Sequence, residues 1–162
     1  AIRAIIVFVF HQSDDQLFMP TVLEDVAFGL LNAGWPVAKA EAAAMAALER
    51  TGMAEAADKA PHHLSSGEKR RVALAGVLVM DPAILVLDEP TTYLDPPGQR
   101  DLAALLRALP QAKLLVTHDI DFARGLASRA VFFEEGRISR RGSVEDLVSH
   151  FNWHQTARRK DC

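Results

Sequence analysis

LSSGEKRRVALAGVLVMDPAILVLDEPTTYLD, which runs from Leu64 to Asp95, decides how this chain is read. Ser65 followed three residues later by Glu68, just before an apolar run, is a capping box, and it predicts a helix over 65–80. Asp81-Pro82 stops that helix, and the apolar run at 83–87 is the length of a buried strand. The strand ends on Asp88 and Glu89, with Pro90 turning the chain away. In a parallel sheet this places two carboxylates at the carboxyl edge, where α/β proteins bind ligands. Ser65, Ser66 and the Gly67 amide stand at a helix N-terminus, whose unpaired N–H groups and dipole favour a phosphate. The same residues also satisfy a plain helix cap, and both readings stay open here. Asp95 before Pro96-Pro97 is equally an N-cap for the next helix.

Outward from this segment the alternation continues. Residues 2–10 read as a strand, and HQSDDQ at 11–16 as a polar loop. Thr21 with Glu24 opens an apolar-periodic helix to Gly34, and Pro36 starts an Ala-rich helix to about Arg50 that Gly52 closes. Downstream come a helix from Pro96 or Pro97 to about Leu109, a strand at 113–117, a short helix at 119–127 and a strand at 131–134. Glu135-Gly136 turns into 137–141, and Ser143 caps a last helix at 144–150. The tail from Asn152, with RRK at 158–160, has no apolar period and is expected to be mobile. Strand–helix–strand alternation at these lengths predicts an α/β fold with a parallel sheet flanked by helices, plus a small helical segment between its α/β parts.

Bulk composition bounds the function. The chain has 162 residues, 49% hydrophobic and 24% charged, which suits one globular domain with a packed core. A formal charge of −3 supplies no basic field for nucleic acid, and no nucleic-acid partner is expected. Lys69, Arg70 and Arg71 either steer phosphate or form a solvated helix face, with the solvated face favoured. Cys162 is the single cysteine, so no internal disulfide can form and a reducing, cytoplasmic setting fits. The longest apolar run, 4–10, is far below the ~20 residues that span a bilayer. A chain that starts at Ala1 directly in a core strand suggests absent upstream sequence.

LSSGE, ILVLDEP, YLD at 93–95 and LLVTHD at 114–119, in this order, resemble the signature loop, Walker B strand, D-loop and switch region of ABC transporter nucleotide-binding subunits. DDQLF at 14–18 followed by TVLEDVAFG at 21–29 resembles most closely the ATPase subunits of cobalt, nickel and energy-coupling-factor vitamin importers. The resemblance implies an incomplete P-loop NTPase domain over residues 1–150, with a helical signature subdomain inserted at about 20–80 and a tail at 151–162. It implies ATP and Mg²⁺ as cofactors. Glu89 would polarise the attacking water, Asp88 would hold Mg²⁺ through water, and His118 would contact the γ-phosphate. Ser65, Ser66 and Gly67 would close over ATP held by a second subunit, with Asp95 coupling the two sites. The position of the family's Q-loop glutamine falls on His11, or on Gln12 after a one-residue shift. Ser66 and Glu68 depart from the family's LSGGQ, adding bulk where backbone meets phosphate and a carboxylate where phosphate is negative.

No GxxxxGK[ST] sequence occurs in the chain, and no other segment supplies its amides and lysine. The implied function is the ATP-binding, ATP-hydrolysing component of an ABC importer of cobalt/nickel or vitamin type, inactive alone. Its partners would be transmembrane permease subunits and a second ABC ATPase subunit, at the inner face of the cell membrane. The alternative is a non-catalytic module that lends its signature loop to a P-loop-bearing partner. In the family fold the P-loop strand lies beside 114–117, so that strand is expected to carry a bare edge and an uncovered apolar face, and the chain to self-associate or be completed by another polypeptide.

Overall fold

The computed structural model describes residues 6–9 and 17–151. Within them the chain runs β1 (Ile6–Val9), α1 (Val22–Asn32), α2 (Val37–Arg50), α3 (Ser66–Leu78), β2 (Ile84–Asp88), α4 (Pro96–Ala108), β3 (Ala112–Val116), α5 (Ile120–Leu126), β4 (Ala130–Glu134), β5 (Arg137–Gly142) and α6 (Val144–Phe151). Two single 3₁₀ turns, Ala54–Ala56 and Pro61–His63, link α2 to α3. The expected first strand is described only at β1, and the loop at 11–16 and the tail from Asn152 lie outside the described residues. The chain divides into two compact units, residues 1–116 and 117–162.

In the first unit β1, β2 and β3 form a parallel sheet in that order, with Leu85 of β2 opposite Val7 and Lys113. β2 is the central strand, and its Leu85, Val86 and Leu87 are buried, as a strand covered on both faces requires. The helical part starts at a closed capping box: Glu24 N–H donates to Thr21 Oγ1 at 3.3 Å and Thr21 N–H donates to Glu24 Oε2 at 3.1 Å. Asp25 accepts Phe18 N–H and Met19 N–H at 3.1 and 3.0 Å, fixing the chain where it joins α1. Burial pushes this carboxyl above its ordinary range, against those two hydrogen bonds. Val22, Val26 and Leu30 of α1 share one core with Ala40, Ala44, Ala47 and Leu48 of α2 and Val72 and Ala75 of α3. The alanines of α2 let its backbone come close, and Leu48 is its large, fully buried side chain.

The second unit holds α5, the antiparallel pair β4–β5, and α6. Glu135 and Gly136 both take positive φ, 49° and 75°, the conformation of a tight two-residue hairpin turn. Ser143 and Asp146 cap α6 reciprocally, at 3.0 Å from Ser143 N–H and 3.1 Å from Asp146 N–H. Arg124 of α5 donates to Glu145 of α6 at 2.7 Å, and Phe132 rests on Phe151 with ring centroids 4.1 Å apart.

β3 is an edge among the described strands, and Leu114 and Val116 are 55% and 52% exposed on one of its faces. Lys113, which alternates with them, curls back to donate to the Leu109 and Gln111 carbonyls at 2.7 and 2.9 Å. An unpaired ladder beside an open apolar face is a template for another strand. The chain is therefore expected to self-associate at micromolar concentration, and the double change Leu114→Lys, Val116→Lys to shift it toward monomer in light scattering. A concentration-independent monomer mass for the unsubstituted chain would refute this.

Candidate functional site

β2 delivers its two carboxylates as its pattern requires: three buried apolar residues, then exposed Asp88 at the strand's carboxyl end. Glu89 follows with φ of 43°, half-buried, and its N–H donates to the Val116 carbonyl at 2.9 Å. That bond pins the Glu89 backbone to the end of β3. Pro90 is fully buried, and Thr92 N–H closes a turn on the Glu89 carbonyl at 3.2 Å. Tyr93 then takes φ of 64°, with its ring 72% exposed. Left-handed backbone at two residues with side chains costs on the order of 1–3 kcal/mol each, and such strain collects at functional sites.

Asp95 accepts Gly98 N–H at 2.9 Å and so caps α4, as the cap reading expects. Pro96 and Pro97 fill the first helical positions and have no N–H, so the amide of Gly98 is the first one available. A Cβ on Gly98 would lie 2.8 Å from Asp95 Oδ1, which explains glycine there.

Ser65 is the N-cap of α3, and its box is closed in every direction. Glu68 Oε2 accepts Ser65 N–H at 2.8 Å and the Ser65 hydroxyl at 2.7 Å, while Glu68 N–H donates to Ser65 Oγ at 3.3 Å. The hydroxyl, then the amide, hold the Glu68 carboxyl below its ordinary range. Ser66 and Gly67 form the first turn of α3, and a Cβ on Gly67 would lie 3.9 Å from Leu94 Cδ2. The signature-like and YLD segments thus meet, lining a cleft of about 370 Å³ with Ser65, Gly67, Arg70, Tyr93, Asp95 and Asp101 around it.

Arg70 corrects the sequence reading. It is 3% exposed rather than part of a solvated face, and its Nη2 reaches the Thr92 carbonyl at 3.5 Å. Burial pushes the guanidinium below its ordinary pKa, yet an arginine keeps its charge. The signal was present: positions 70, 73, 74 and 77 fall on one helical stripe, and all four are buried. Lys69 and Arg71 are half-buried. Tyr93 is the other residue that composition and motif did not single out, since nothing in YLD announces a left-handed tyrosine.

β3 ends at Val116, so His118 lies two residues past the strand rather than at its end. It is exposed in the second unit. Asp119 next to it donates its N–H to Thr117 Oγ1 at 3.0 Å and caps α5 by accepting Phe122 N–H at 3.0 Å. His11 and Gln12 lie outside the described residues. Among the described residues no three His, Cys, Asp or Glu side chains cluster as a metal cage. Asp88 and Glu89 still suit Mg²⁺, which takes hard oxygen donors, keeps several waters and needs only one or two carboxylates.

The family model described as ABC transporter matches residues 1–92. A putative ABC transporter ATP-binding protein of Geobacter sulfurreducens is 48% identical over 149 residues, covering 92% of this chain and 60% of that protein. The energy-coupling factor transporter ATP-binding protein EcfA of Methanosphaera stadtmanae is 43% identical over 144 residues, covering 87% of this chain and 52% of its own length. Among solved structures, cbiO1 from Clostridium perfringens, described as part of the ABC transporter complex cbiONQ, superposes with a TM-score of 0.82 at 36% identity, covering 99% of this chain and 65% of that one. The chain thus spans 60% and 52% of the length of these two relatives. The fold is that of an ABC ATPase, a P-loop NTPase architecture with parallel sheet and flanking helices. The chain belongs to the ABC transporter family of ATP-binding proteins.

Proposed function

We propose that this chain contributes to ATP hydrolysis in an ABC importer of the cobalt/nickel or energy-coupling-factor type, at the cytoplasmic face of a membrane and bound to permease subunits and a second ABC ATPase subunit. Residues 1–150 are the ABC ATPase part, with the helical signature subdomain at about 20–80. The kinship with EcfA and cbiO1 supports the importer type. Among the described residues no helix is long and apolar enough to cross a membrane. The observation that carries the catalytic reading is the Asp88–Glu89 pair at the carboxyl end of the central parallel strand, with the Glu89 backbone bonded to Val116.

Asp88 would hold Mg²⁺ through water, and the ion when bound supplies charge neutralisation for the phosphates. The Glu89 carboxylate accepts a proton from, and so orients, the water that attacks the γ-phosphate. His118 donates to the γ-phosphate, and His11 or Gln12 serves as the Q-loop residue. The Ser65 hydroxyl with the Ser66 and Gly67 amides contacts a nucleotide held by the other subunit, and Asp95 couples the two sites. The β- and γ-phosphate cradle must come from a P-loop, which is not among these 162 residues. The test is phosphate release from ATP. The chain alone is expected to show none, and mixing with a P-loop-bearing ABC polypeptide to produce turnover above that of the added polypeptide by itself. Turnover by the chain alone, or no gain on mixing, would overturn the proposal.

A further inference from the structure

Ser65 has one hydroxyl proton, and Glu68 holds it. With Oγ 2.7 Å from Glu68 Oε2 and also accepting Glu68 N–H, the serine donates to the carboxylate and accepts from the backbone. The same Oε2 accepts Ser65 N–H at 2.8 Å, so one carboxylate oxygen takes up two of the donors this loop has. A phosphate oxygen is an acceptor only. It can receive the Ser65 hydroxyl only after Glu68 has released it, and it must approach a carboxylate charge to do so. The Ser65 hydroxyl, then its amide, and to a smaller degree the charges of Lys59 and Arg71 stabilise the ionised form of Glu68 that accepts these bonds.

We propose that Glu68 is a positioning residue that latches the Ser65 hydroxyl, so that phosphate binds at this loop only by displacing Glu68 from Ser65. The inference rests on the reading of Ser65 as a phosphate contact. A glutamine at this position preserves the capping box, because its carbonyl oxygen still accepts Ser65 N–H. It carries no charge, and its amide can turn to donate to Ser65 Oγ, which frees the hydroxyl proton. Glu68 therefore lowers the affinity of a loop whose backbone is otherwise formed to receive an anion.

Inorganic phosphate titrated into the isotope-labelled chain, followed through the amide shifts of residues 66–68, tests the latch. Glu68→Gln is expected to lower the phosphate dissociation constant about tenfold, through loss of a like charge and release of a charge-assisted donor. Glu68→Ala is expected to tighten binding in the same direction, and an unchanged thermal midpoint of Glu68→Gln shows that the cap persists. The Ser65→Ala, Glu68→Gln pair must lose most of the gain. Equal affinity in the unsubstituted chain and the Glu68→Gln variant overturns the latch while leaving the phosphate contact standing. A gain that survives Ser65→Ala reduces Glu68 to a simple repulsive charge and also overturns it. No shift at these amides in any variant removes both the latch and the reading of Ser65 beneath it.

Discussion

Glu89→Gln is expected to lower ATP turnover by a factor of about 10²–10⁴ in the chain completed by a P-loop-bearing ABC polypeptide, the range lost when a positioned general base is removed. The completing polypeptide should carry Gln in place of its own Walker B glutamate, so that any turnover depends on this chain. Glutamine keeps the side-chain volume and the backbone bond to Val116, and removes only the proton acceptor. Nucleotide binding should therefore persist while phosphate release stops. If the chain is instead a module lending its signature loop, that pairing shows no turnover at all, whereas a completing polypeptide with its own Walker B glutamate intact turns over with the Glu89→Gln chain and is silenced by Ser65→Ala. That pair of outcomes separates the two readings by experiment.

The largest expected change in stability is at Leu48. It is fully buried among Val22, Val26, Leu30 and Val72, and the rest of its helix face is alanine. Alanine neighbours cannot swing in to fill a void, so Leu48→Ala should cost about 2–5 kcal/mol, a large share of the ~5–15 kcal/mol that holds a domain folded. A lower urea midpoint with an unchanged slope is the expected result, read by circular dichroism at the helix band. A loss below about 1 kcal/mol would mean that the three-helix core collapses around the cavity.

Local rules carried far in this chain. Thr21, Ser65 and Asp95 each cap a helix as their spacing to Glu24, Glu68 and the proline pair implied, because a cap involves only a few neighbouring residues. The parallel direction of β1, β2 and β3 followed from alternation, but their order in the sheet did not. Strand ends were less legible: β3 stops at Val116, and the 3₁₀ turns between α2 and α3 have no periodicity to announce them. Three features of the site depend on tertiary packing and left little trace in the text. Arg70 is buried on an inward-facing helix stripe, Glu89 combines positive φ with an N–H bonded to Val116, and residues 65–71 and 93–102 come together to line the cleft. His11 and Gln12, the adjacent pair offered for the Q-loop position, lie outside the described residues.

Arg70, almost wholly buried beneath the cleft it helps to line, links its own helix to the turn after Pro90 through the Thr92 carbonyl. At 3.5 Å the contact is long for a hydrogen bond, but it places a cation beside a backbone carbonyl of that turn. The serine end of α3 and the tyrosine–aspartate turn therefore share a wall of one cleft, with a buried cation between them, so a substitution at Arg70 alters the footing of both.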